Sequence, residues 1–233
     1  MIEISPLVYE FENNLDDNIC DDLINQYVNN PNSIVNCATD SSLTMNTEGI
    51  LKEYEDIPHF ALPKQLDEII FNSLTSALEK LKTSMRMKLE KTQKQRKIDS
   101  WYYDETIDRF IEGLFVHDTG YQIQRCSQEH GLRGYKLHDD ADTAMIFDVN
   151  TNATRKRTLS ALWYLNDDFD EGCGTYFPLL DYLVEPKKRK LLLFTTAGPT
   201  AHIGFSPERG FKYILTGWVY DILAKVFVDG KVI

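Results

Sequence analysis

Apolar residues recur at helical spacing in the first half of the chain. Leu15, Ile19, Leu23 and Tyr27 follow one another four residues apart, which predicts an early amphipathic helix. A second helix is predicted from Pro63, because a new stripe at steps of three and four begins there and proline suits a first helical turn. The members of that stripe are Leu66, Ile70, Leu74, Leu78, Leu81 and Met85.

The stretches around these helices are less regular. Residues 32–62 show no sustained period and are rich in Asn, Ser and Thr, which favours loops with short strands. A third helix is predicted over residues 103–118, ended by Gly120. Its buried face would consist of Ile107, Phe110, Ile111 and Leu114.

After Gly120 the pattern changes to short apolar runs separated by turn residues. The runs are rich in aromatic and β-branched residues and have the length of strands: YQIQRC, GYKLHDD, TLSALWYLND, GTYFPLL, KLLLFTT, HIGFS and FKYILTGWVYDI. They predict an antiparallel sandwich or barrel. We therefore expect an α+β protein of one domain over residues 1–233, with 1–117 as a mainly helical support region and 118–233 as the β core.

Composition narrows the class of protein. The chain has 233 residues and a net charge of −11, which disfavours general binding to nucleic-acid phosphates. The sequence contains no run of about 18 apolar residues, so a membrane span is not expected. The N-terminus lacks the pattern of a signal peptide. The four cysteines form no CxxC pair, which disfavours zinc fingers and favours free thiols in the cytoplasm.

One segment departs from the overall acidity. Residues 82–97 carry seven Lys or Arg against a single Glu. The favoured interpretation is the solvated end of a long helix, and the alternative is a docking patch for an acidic partner.

The candidate chemistry lies in the run YKLHDDADT, residues 135–143. In a strand, side chains alternate between faces, so His138 and Asp140 would point the same way while Asp139 points oppositely. A His-x-Asp pair cannot hold iron firmly alone, and His202 is the histidine at the head of a later strand. Two histidines and one carboxylate form the facial triad of non-haem Fe(II) oxygenases.

The ordered motifs from about residue 122 to 221 resemble the Fe(II)- and 2-oxoglutarate-dependent dioxygenases, and within them the prolyl hydroxylases. YKLHDD is similar to the family's Y-x-x-H-x-D strand, and SALWYLNDDFDEGCGTYFP to its Tyr-Leu-Asn strand and Gly-rich hairpin. HIGFSPERGFKYILTGWVYD is similar to the segment with the distal histidine, a basic anchor and a closing Trp. The resemblance covers about half of the chain well, and implies a double-stranded β-helix (jelly-roll) core with N-terminal and supporting helices.

The resemblance also implies a role for single residues. His138, Asp140 and His202 would bind Fe(II), and Lys212 would pair with the distal carboxylate of 2-oxoglutarate. Further contacts to 2-oxoglutarate would come from Tyr164, Thr175 and Thr216, and Trp218 would line the substrate side. Structural roles are the alternative for Lys212, Tyr164, Thr216 and Trp218. A strand lysine can extend its ammonium to solvent, and large aromatic residues and threonine are common in sheets.

Two positions depart from the family's pattern. Cys126 stands where many members have a tyrosine that contacts 2-oxoglutarate, and Cys173 interrupts the usual Gly-Gly-x-Thr hairpin. Arg209 rivals Lys212 as the anchor, but it precedes Gly210 in a predicted turn. The strand position favours Lys212.

The resemblance implies hydroxylation of a prolyl residue in a protein or peptide, with succinate and CO2 as co-products. Fe(II), 2-oxoglutarate and O2 would be required, and a role for ascorbate stays open. One alternative keeps the chemistry but takes a free amino acid or another small metabolite. The other is a non-catalytic β-helix module for binding. The segment of residues 141–158 is predicted as a long polar loop at the mouth that grips the substrate. Neither the oligomeric state nor the target follows from the sequence.

Overall fold

The computed structural model describes most of the chain but not all of it. The described residues are 1–5, 7–29, 35–37, 54–57, 62–97, 111, 115–116, 121–129, 134–141, 146–148, 153–222, 227–228 and 231–232. The predicted site residues lie within these ranges. His59, His117, His130 and Asp142 lie outside them.

The described structure contains two long α-helices, sixteen strands and two short 3-10 helices (Pro178–Leu180 and Gly198–Thr200). The helices are α1 (Asp17–Asn29) and α2 (Lys64–Arg96). The strands of the N-terminal part are β1 (Ile2–Ser5), β2 (Val8–Phe11), β3 (Val35–Cys37), β4 (Tyr54–Ile57) and β5 (Phe115–Val116). Those that follow are β6 (Gln122–Cys126), β7 (Gly134–His138), β8 (Ile146–Asp148), β9 (Ala153–Tyr164), β10 (Thr175–Phe177) and β11 (Tyr182–Val184). The last are β12 (Leu191–Thr195), β13 (His202–Phe205), β14 (Lys212–Ile222), β15 (Phe227–Val228) and β16 (Lys231–Val232).

The strands form two antiparallel sheets that face each other, and β15 pairs separately with β16. The large sheet has the order β1-β2-β12-β9-β14-β6-β4-β3, with β5 paired to β14 and β8 paired to β9. The small sheet has the order β11-β10-β13-β7. Strands distant in sequence lie side by side in both sheets, as in a jelly roll. The predicted α+β class with a double-stranded β-helix core is confirmed.

The large sheet has an apolar core on each of its faces, because side chains alternate along each strand. On β9, Ala161 and Trp163 belong to the core that contains the two helices, whereas Leu162 and Tyr164 belong to the core shared with the small sheet. In the second core Phe177 of the small sheet meets Phe194 of the large sheet edge to face, with ring centroids 5.2 Å apart. The helices therefore brace the outer face, and the inner face is left for a site.

The two helices follow their predicted apolar stripes. Ile19, Leu23 and Tyr27 of α1 are buried, and the predicted stripe of α2 is buried as far as Leu81. Beyond Leu81 the α2 stripe gives way to the basic segment. Lys82 is itself buried beside Glu79, with an N–O distance of 3.0 Å, but the remaining basic residues are exposed or half-buried. These exposures agree with a largely solvated helix end.

Two local predictions need correction. Within the predicted helix of residues 103–118, Ile111 is helical, but Phe115–Val116 forms strand β5 against β14. Cross-strand hydrogen bonds to a distant segment outweigh the weak helical spacing of the short run. The polar segment of residues 141–158, predicted as a loop, contains β8 and the start of β9, which pair as a hairpin through Ile146–Arg155 and Asp148–Ala153.

The N-terminal region contributes strands as well as helices. β2 pairs with β12, and β4 pairs with β6, so both sides of the large sheet are extended by residues that precede the β core in sequence. The division of the chain at residues 117 and 118 stays a prediction. Within the described part of the chain, no helix has both the length and the apolar character that a membrane crossing needs.

Candidate metal centre and adjoining pocket

Two neighbouring strands of the small sheet bring the candidate histidines together. His138 is the last residue of β7, His202 is the first of β13, and the two are paired across the sheet with ring centroids 4.3 Å apart. Asp140 lies two residues beyond β7. One potential ligand atom from each of the three side chains lies within 4.8 Å of the others. The two histidines, 64 residues apart in sequence, thus converge because their strands are adjacent.

Asp140 reaches the cluster by a different route from the one predicted. The strand ends at His138, so simple alternation does not extend to Asp140. Instead, the backbone N–H of Asp140 donates to the carbonyl oxygen of Thr196 at 2.9 Å, and the hydroxyl of Ser160 donates a short hydrogen bond to its carboxylate. Asp139 is exposed, and its carboxylate accepts the N–H of Ala141 at 3.2 Å. Asp140, the aspartate chosen in the sequence, thus lies with the histidines, and Asp139 does not. Contacts with Ser160 and Thr196 of the large-sheet side, and not strand alternation, hold Asp140 there.

Backbone carbonyls orient both imidazole rings. The Nδ1 of His138 lies 2.7 Å from the oxygen of Lys136, and the Nδ1 of His202 lies 3.2 Å from the oxygen of Thr200. If Nδ1 donates in each ring, Nε2 is the ligand atom, as is usual for metal-binding histidines. The Nε2 of His138 is 3.4 Å from Asp140 Oδ1.

The electrostatics of the cluster favour an ionised carboxylate. For Asp140, burial acts to raise the pKa, but the hydrogen bond with His138, the charge of His202 and the Ser160 hydroxyl together lower the pKa to about 2. Burial lowers the pKa of His202 to about 4 despite the nearby carboxylate. Burial also acts to lower the pKa of His138, but the hydrogen bond and charge of Asp140 raise the pKa above its ordinary value. Asp140 is therefore a ready anionic ligand at neutral pH.

The donor set fits a divalent transition metal. Two imidazoles and one carboxylate are the ligands of the facial triad, which leaves coordination positions open. Phe177 and Phe194 wall His202, with ring centroids 5.7 and 4.8 Å from the imidazole. Such a dry wall restrains the ligand ring and limits access of water. The cluster can accommodate Fe(II).

Lys212 is a buried cation without a carboxylate partner among the described residues. Its exposed fraction is 2%, and its ammonium donates to the carbonyl oxygens of Cys173, at 2.6 Å, and of Phe205. Burial lowers the pKa of Lys212, although the thiols of Cys126 and Cys173 act in the opposite direction. The rival residue, Arg209, is on the surface, where its side chain is 83% exposed and contacts Asp170.

The other predicted contacts occupy the interior between the sheets. Tyr164 and Thr175 are buried, and their hydroxyls lie 2.7 Å apart. Thr216 and Trp218 line a small cavity beside the metal cluster. Its lining residues are Gln124, Tyr135, His138, Asp140, Leu162, Phe194, His202, Thr216 and Trp218. Lys212, Tyr164 and Thr175 are not part of this lining.

The Gly172–Thr175 hairpin places the carbonyl that Lys212 contacts. Gly172 has a φ of +77°. At Gly174, a Cβ atom would lie 1.9 Å from the carbonyl oxygen of Val184, so only glycine allows this close approach. The departure from the usual motif at Cys173 thus keeps the two glycines that the backbone needs.

Several polar residues around the site were not singled out in the sequence: Gln124 and Tyr135 line the cavity, whereas Ser160 contacts Asp140 and Arg157 contacts Trp218. The guanidinium of Arg157 lies 3.7 Å from the centroid of the Trp218 ring. Both the Arg157 Nε and the Trp218 Nε1 are buried without an acceptor in the described structure. Arg157 does lie in the segment predicted to grip substrate, but nothing in its sequence context distinguishes it from the neighbouring Lys and Arg.

Three thiols are free and buried: Cys20, Cys126 and Cys173. Burial raises the pKa of Cys20 to about 11 and raises those of the other two as well. Cys126 lies directly across from Lys212 in the paired strands. Here a thiol, rather than the phenol that the resemblance implies, adjoins the buried ammonium.

Comparison with known proteins is consistent with this geometry. Residues 121–220 match the family model described as the 2OG-Fe(II) oxygenase superfamily. This range contains all eight residues predicted for the site. No curated protein matches the sequence significantly.

Several solved structures share the fold. The viral collagen prolyl hydroxylase of Paramecium bursaria Chlorella virus-1, in its 2OG complex, is 20% identical, with a TM-score of 0.51 over 93% of this chain and 97% of that one. A prolyl hydroxylase from Trichoplax adhaerens, in complex with a hypoxia inducible factor oxygen degradation domain peptide fragment, is 16% identical, with a TM-score of 0.57 over 93% and 84%. A prolyl-4-hydroxylase from Pseudomonas putida is 16% identical, with a TM-score of 0.53 over 93% of each chain. At these identities the likeness establishes the fold.

Proposed function

Because residues 121–220 match the 2OG-Fe(II) oxygenase superfamily, we propose that the chain is such an oxygenase and that it hydroxylates a prolyl residue in a protein or peptide. The observation that carries this proposal is the convergence of His138, Asp140 and His202 on one point, together with the buried Lys212 of β14, whose ammonium contacts the carbonyl oxygen of Phe205 on β13, the strand that begins with His202. A lone triad would fit many metals. A triad whose strand also contacts a buried cation, itself without a carboxylate partner among the described residues, fits a metal with an anionic co-substrate.

In this proposal His138, Asp140 and His202 hold Fe(II), and Lys212 receives the distal carboxylate of 2-oxoglutarate. Fe(II) and 2-oxoglutarate supply, with O2, the oxidative decarboxylation to succinate and CO2 that is coupled to hydroxylation of a C–H bond. To reach the co-substrate, the Lys212 ammonium exchanges a carbonyl acceptor for the carboxylate, a stronger charge-assisted bond. The hydroxyls of Tyr164, Thr175 and Thr216 are the further donors we assign to 2-oxoglutarate.

The protein's other task is to keep the reacting centre dry and aimed. Phe177 and Phe194 close the side of His202, and Leu162 adds an apolar wall to the cavity. Ser160 orients the Asp140 carboxylate. Restraint of the ligands and exclusion of water are what the protein adds to chemistry carried by its cofactors.

Arg157 and Trp218 support a peptide substrate. Buried donors without acceptors are costly, so such donors beside a cavity are suited to a ligand carbonyl. A peptide offers carbonyl oxygens next to its proline, and the Trp218 ring offers an apolar face for the pyrrolidine. The solved structures of similar fold include one that holds a peptide fragment, which agrees with this assignment. The free amino acid or small metabolite remains the alternative substrate.

The first experiment tests the reaction. Purified protein is incubated with 2-oxoglutarate, Fe(II) and a proline-containing peptide library, and succinate is quantified. Succinate formation should require Fe(II) and should stop in Asp140→Ala, whereas the matched variant of the exposed neighbour, Asp139→Ala, should stay active. Turnover that survives in Asp140→Ala but is lost in Asp139→Ala would refute the ligand assignment. Omitting ascorbate from the assay tests whether it is needed.

A second experiment separates the substrate classes. Mass spectrometry of the peptides should find a gain of one oxygen atom on proline residues, and Arg157→Gln should raise the KM for peptide without changing the KM for 2-oxoglutarate. Oxidation of free amino acids alone would favour the small-molecule alternative. A wild-type protein that binds peptide but forms no succinate under any condition would favour the non-catalytic module.

We place the protein in the cytoplasm, because the three described thiols are unpaired and structural disulfides are rare in reducing compartments. Fractionation of the source cells would test this.

A further inference from the structure

Gln124 is a buried polar side chain in the middle of the cavity wall. It belongs to β6 of the large sheet, and its exposed fraction is 2%. Its Nε2 donates to the hydroxyl of Tyr135, on β7 of the small sheet, at 2.8 Å. On its other side the hydroxyl of Thr216 approaches its Oε1 at the longer distance of 3.5 Å. The amide therefore links the two sheets across the cavity.

The partner of Gln124 in turn contacts a candidate metal ligand. The ring of Tyr135 stacks on the imidazole of His138, with centroids 4.8 Å apart and planes inclined by 25°. Because a tyrosine ring can rotate about its side-chain bonds, a hydrogen bond at its far end fixes where the face of the ring lies. Gln124 holds that far end.

The two histidines differ in how much support they receive from elsewhere. His202 is buried and lies between Phe177 and Phe194. The side chain of His138 is 25% exposed. Apart from its hydrogen bonds, its described ring contacts are with Tyr135 and with His202 itself. Among the described residues, Tyr135 is thus the aromatic support of His138 besides the other histidine, whereas two phenylalanines support His202.

We propose that Gln124 is a positioning residue, which holds the Tyr135 ring against His138 and thereby sets the orientation of this ligand for the metal. The inference rests on the proposed function, since its consequence is at the metal centre. Both orientations of the amide support it, because a tyrosine hydroxyl either accepts from the NH2 group or donates to the oxygen. An apolar residue of the same length fills the space but removes this hydrogen-bond partner from the half-buried phenol.

The test is a double-mutant cycle on metal affinity in the apo protein. Gln124→Met keeps the length of the side chain and removes the amide, and Tyr135→Phe keeps the ring and removes the hydroxyl. Mn(II) binding is followed by electron paramagnetic resonance without 2-oxoglutarate or O2, so the readout does not depend on turnover. Outer contacts of metal ligands are commonly worth about 10- to 100-fold in affinity, and we expect the low end, about tenfold, because the amide acts through a ring.

The coupling between the variants identifies the route. Because either substitution breaks the same hydrogen bond, Tyr135→Phe should weaken Mn(II) binding as much as Gln124→Met, and the double variant should lose no more than either alone. Gln122→Met is the matched control: Gln122 is on the same strand two residues earlier but does not line the cavity. It should bind Mn(II) as the wild type does.

Other outcomes overturn the inference. Wild-type affinity in Gln124→Met, or losses that add in the double variant, would show that Gln124 does not act through Tyr135. If Gln124→Met fails to fold, Tyr135→Phe alone decides, since it retains the ring: unchanged affinity there removes the link to His138. A wild-type protein that neither binds Mn(II) nor forms succinate would refute the proposed function itself. That result differs from one in which the wild type binds Mn(II) and the variants bind it equally well, which would refute only the role of Gln124.

Discussion

Lys212 and Lys190 are two buried lysines in opposite situations, and the contrast gives a sharp prediction. The ammonium of Lys190 is 2.7 Å from the carboxylate of Glu10, also buried. Lys212 has only carbonyl acceptors among the described residues. If Lys212 is the anchor of an anionic co-substrate, Lys212→Met should damage binding and spare the fold. Lys190→Met should damage the fold and spare binding.

The magnitudes follow from the burial of each charge. Removing one partner of a buried, hydrogen-bonded charge pair costs about 2 to 5 kcal/mol, so Lys212→Met should weaken 2-oxoglutarate binding by roughly 30- to 4,000-fold at 1.4 kcal/mol per tenfold. Lys190→Met leaves the buried Glu10 carboxylate without its cation, with the Tyr182 hydroxyl as its remaining hydrogen-bond donor, which should lower the free energy of unfolding by about 3 to 5 kcal/mol.

The sign of the stability change at Lys212 comes from its pKa. Burial lowers the pKa of Lys212 in the folded protein, so the unfolded chain binds the proton more tightly and the charged side chain destabilises the fold. That penalty is complete below the folded-state pKa and disappears as the pH rises towards the unfolded value near ~10.4. Lys212→Met lacks the penalty, so its apo form should unfold at an equal or higher temperature than the wild type.

Two measurements decide the matter. Calorimetric titration of 2-oxoglutarate into the Mn(II)-loaded, anaerobic protein gives the affinity, and circular dichroism melts of the apo proteins give the stability. The reasoning is refuted if Lys212→Met binds 2-oxoglutarate as the wild type does. It is also refuted if Lys212→Met is destabilised as much as Lys190→Met and its loss of 2-oxoglutarate binding is explained by the fraction of protein that is unfolded.

Three further predictions test the surroundings of the site. Gly174→Ala should destabilise the protein several times more than Gly172→Ala in a thermal melt. The new Cβ at position 174 meets a carbonyl oxygen at 1.9 Å, whereas position 172 has open space and bears only a left-handed strain of about 1 to 2 kcal/mol. Equal losses of stability would contradict this. Ser160→Ala should weaken Mn(II) binding by about 10- to 100-fold, because the hydroxyl orients the Asp140 carboxylate, and unchanged binding would remove that role. In a Cys37→Ser background the three buried thiols, with raised pKa values, should resist iodoacetamide at pH 8 until denaturant is added, and rapid labelling of the native protein would contradict their burial.

Local periodicity predicted the elements whose apolar face is long enough to be unambiguous. The stripe of α2 repeats over many turns, so no other structure buries it as well. By contrast, β1 and β2 were not predicted as strands, because each has four residues, and so short a run carries little periodic signal. β1 pairs with β2, and the other partner of β2 is β12, some 180 residues along the chain, with Leu191 opposite Phe11. Such pairing depends on the closed sheet and not on neighbours in sequence.

The same limit separates the parts of the candidate site. The pattern of strands singled out His138 and His202, and the family resemblance singled out Lys212; each of the three lies at the end of a regular strand. Asp140 lies beyond its strand, and contacts with Ser160 and with the backbone of the large sheet hold it. Asp140 rather than Asp139 lies beside the two histidines, for a reason that alternation does not contain, and its role as a ligand stays a prediction.

Residues that support a site from the facing sheet are the hardest to predict. Gln124 shares no motif with the triad, and its role becomes visible only when the sheets are closed and its amide meets Tyr135. Here the two histidines come from the small sheet, whereas Gln124 and Ser160, which support the ligands through hydrogen bonds, come from the large sheet. A sequence motif confined to the ligand strands therefore specifies which atoms bind the metal. The affinity for the metal depends in addition on residues such as Gln124 and Ser160. Those residues can differ among chains that share the motif.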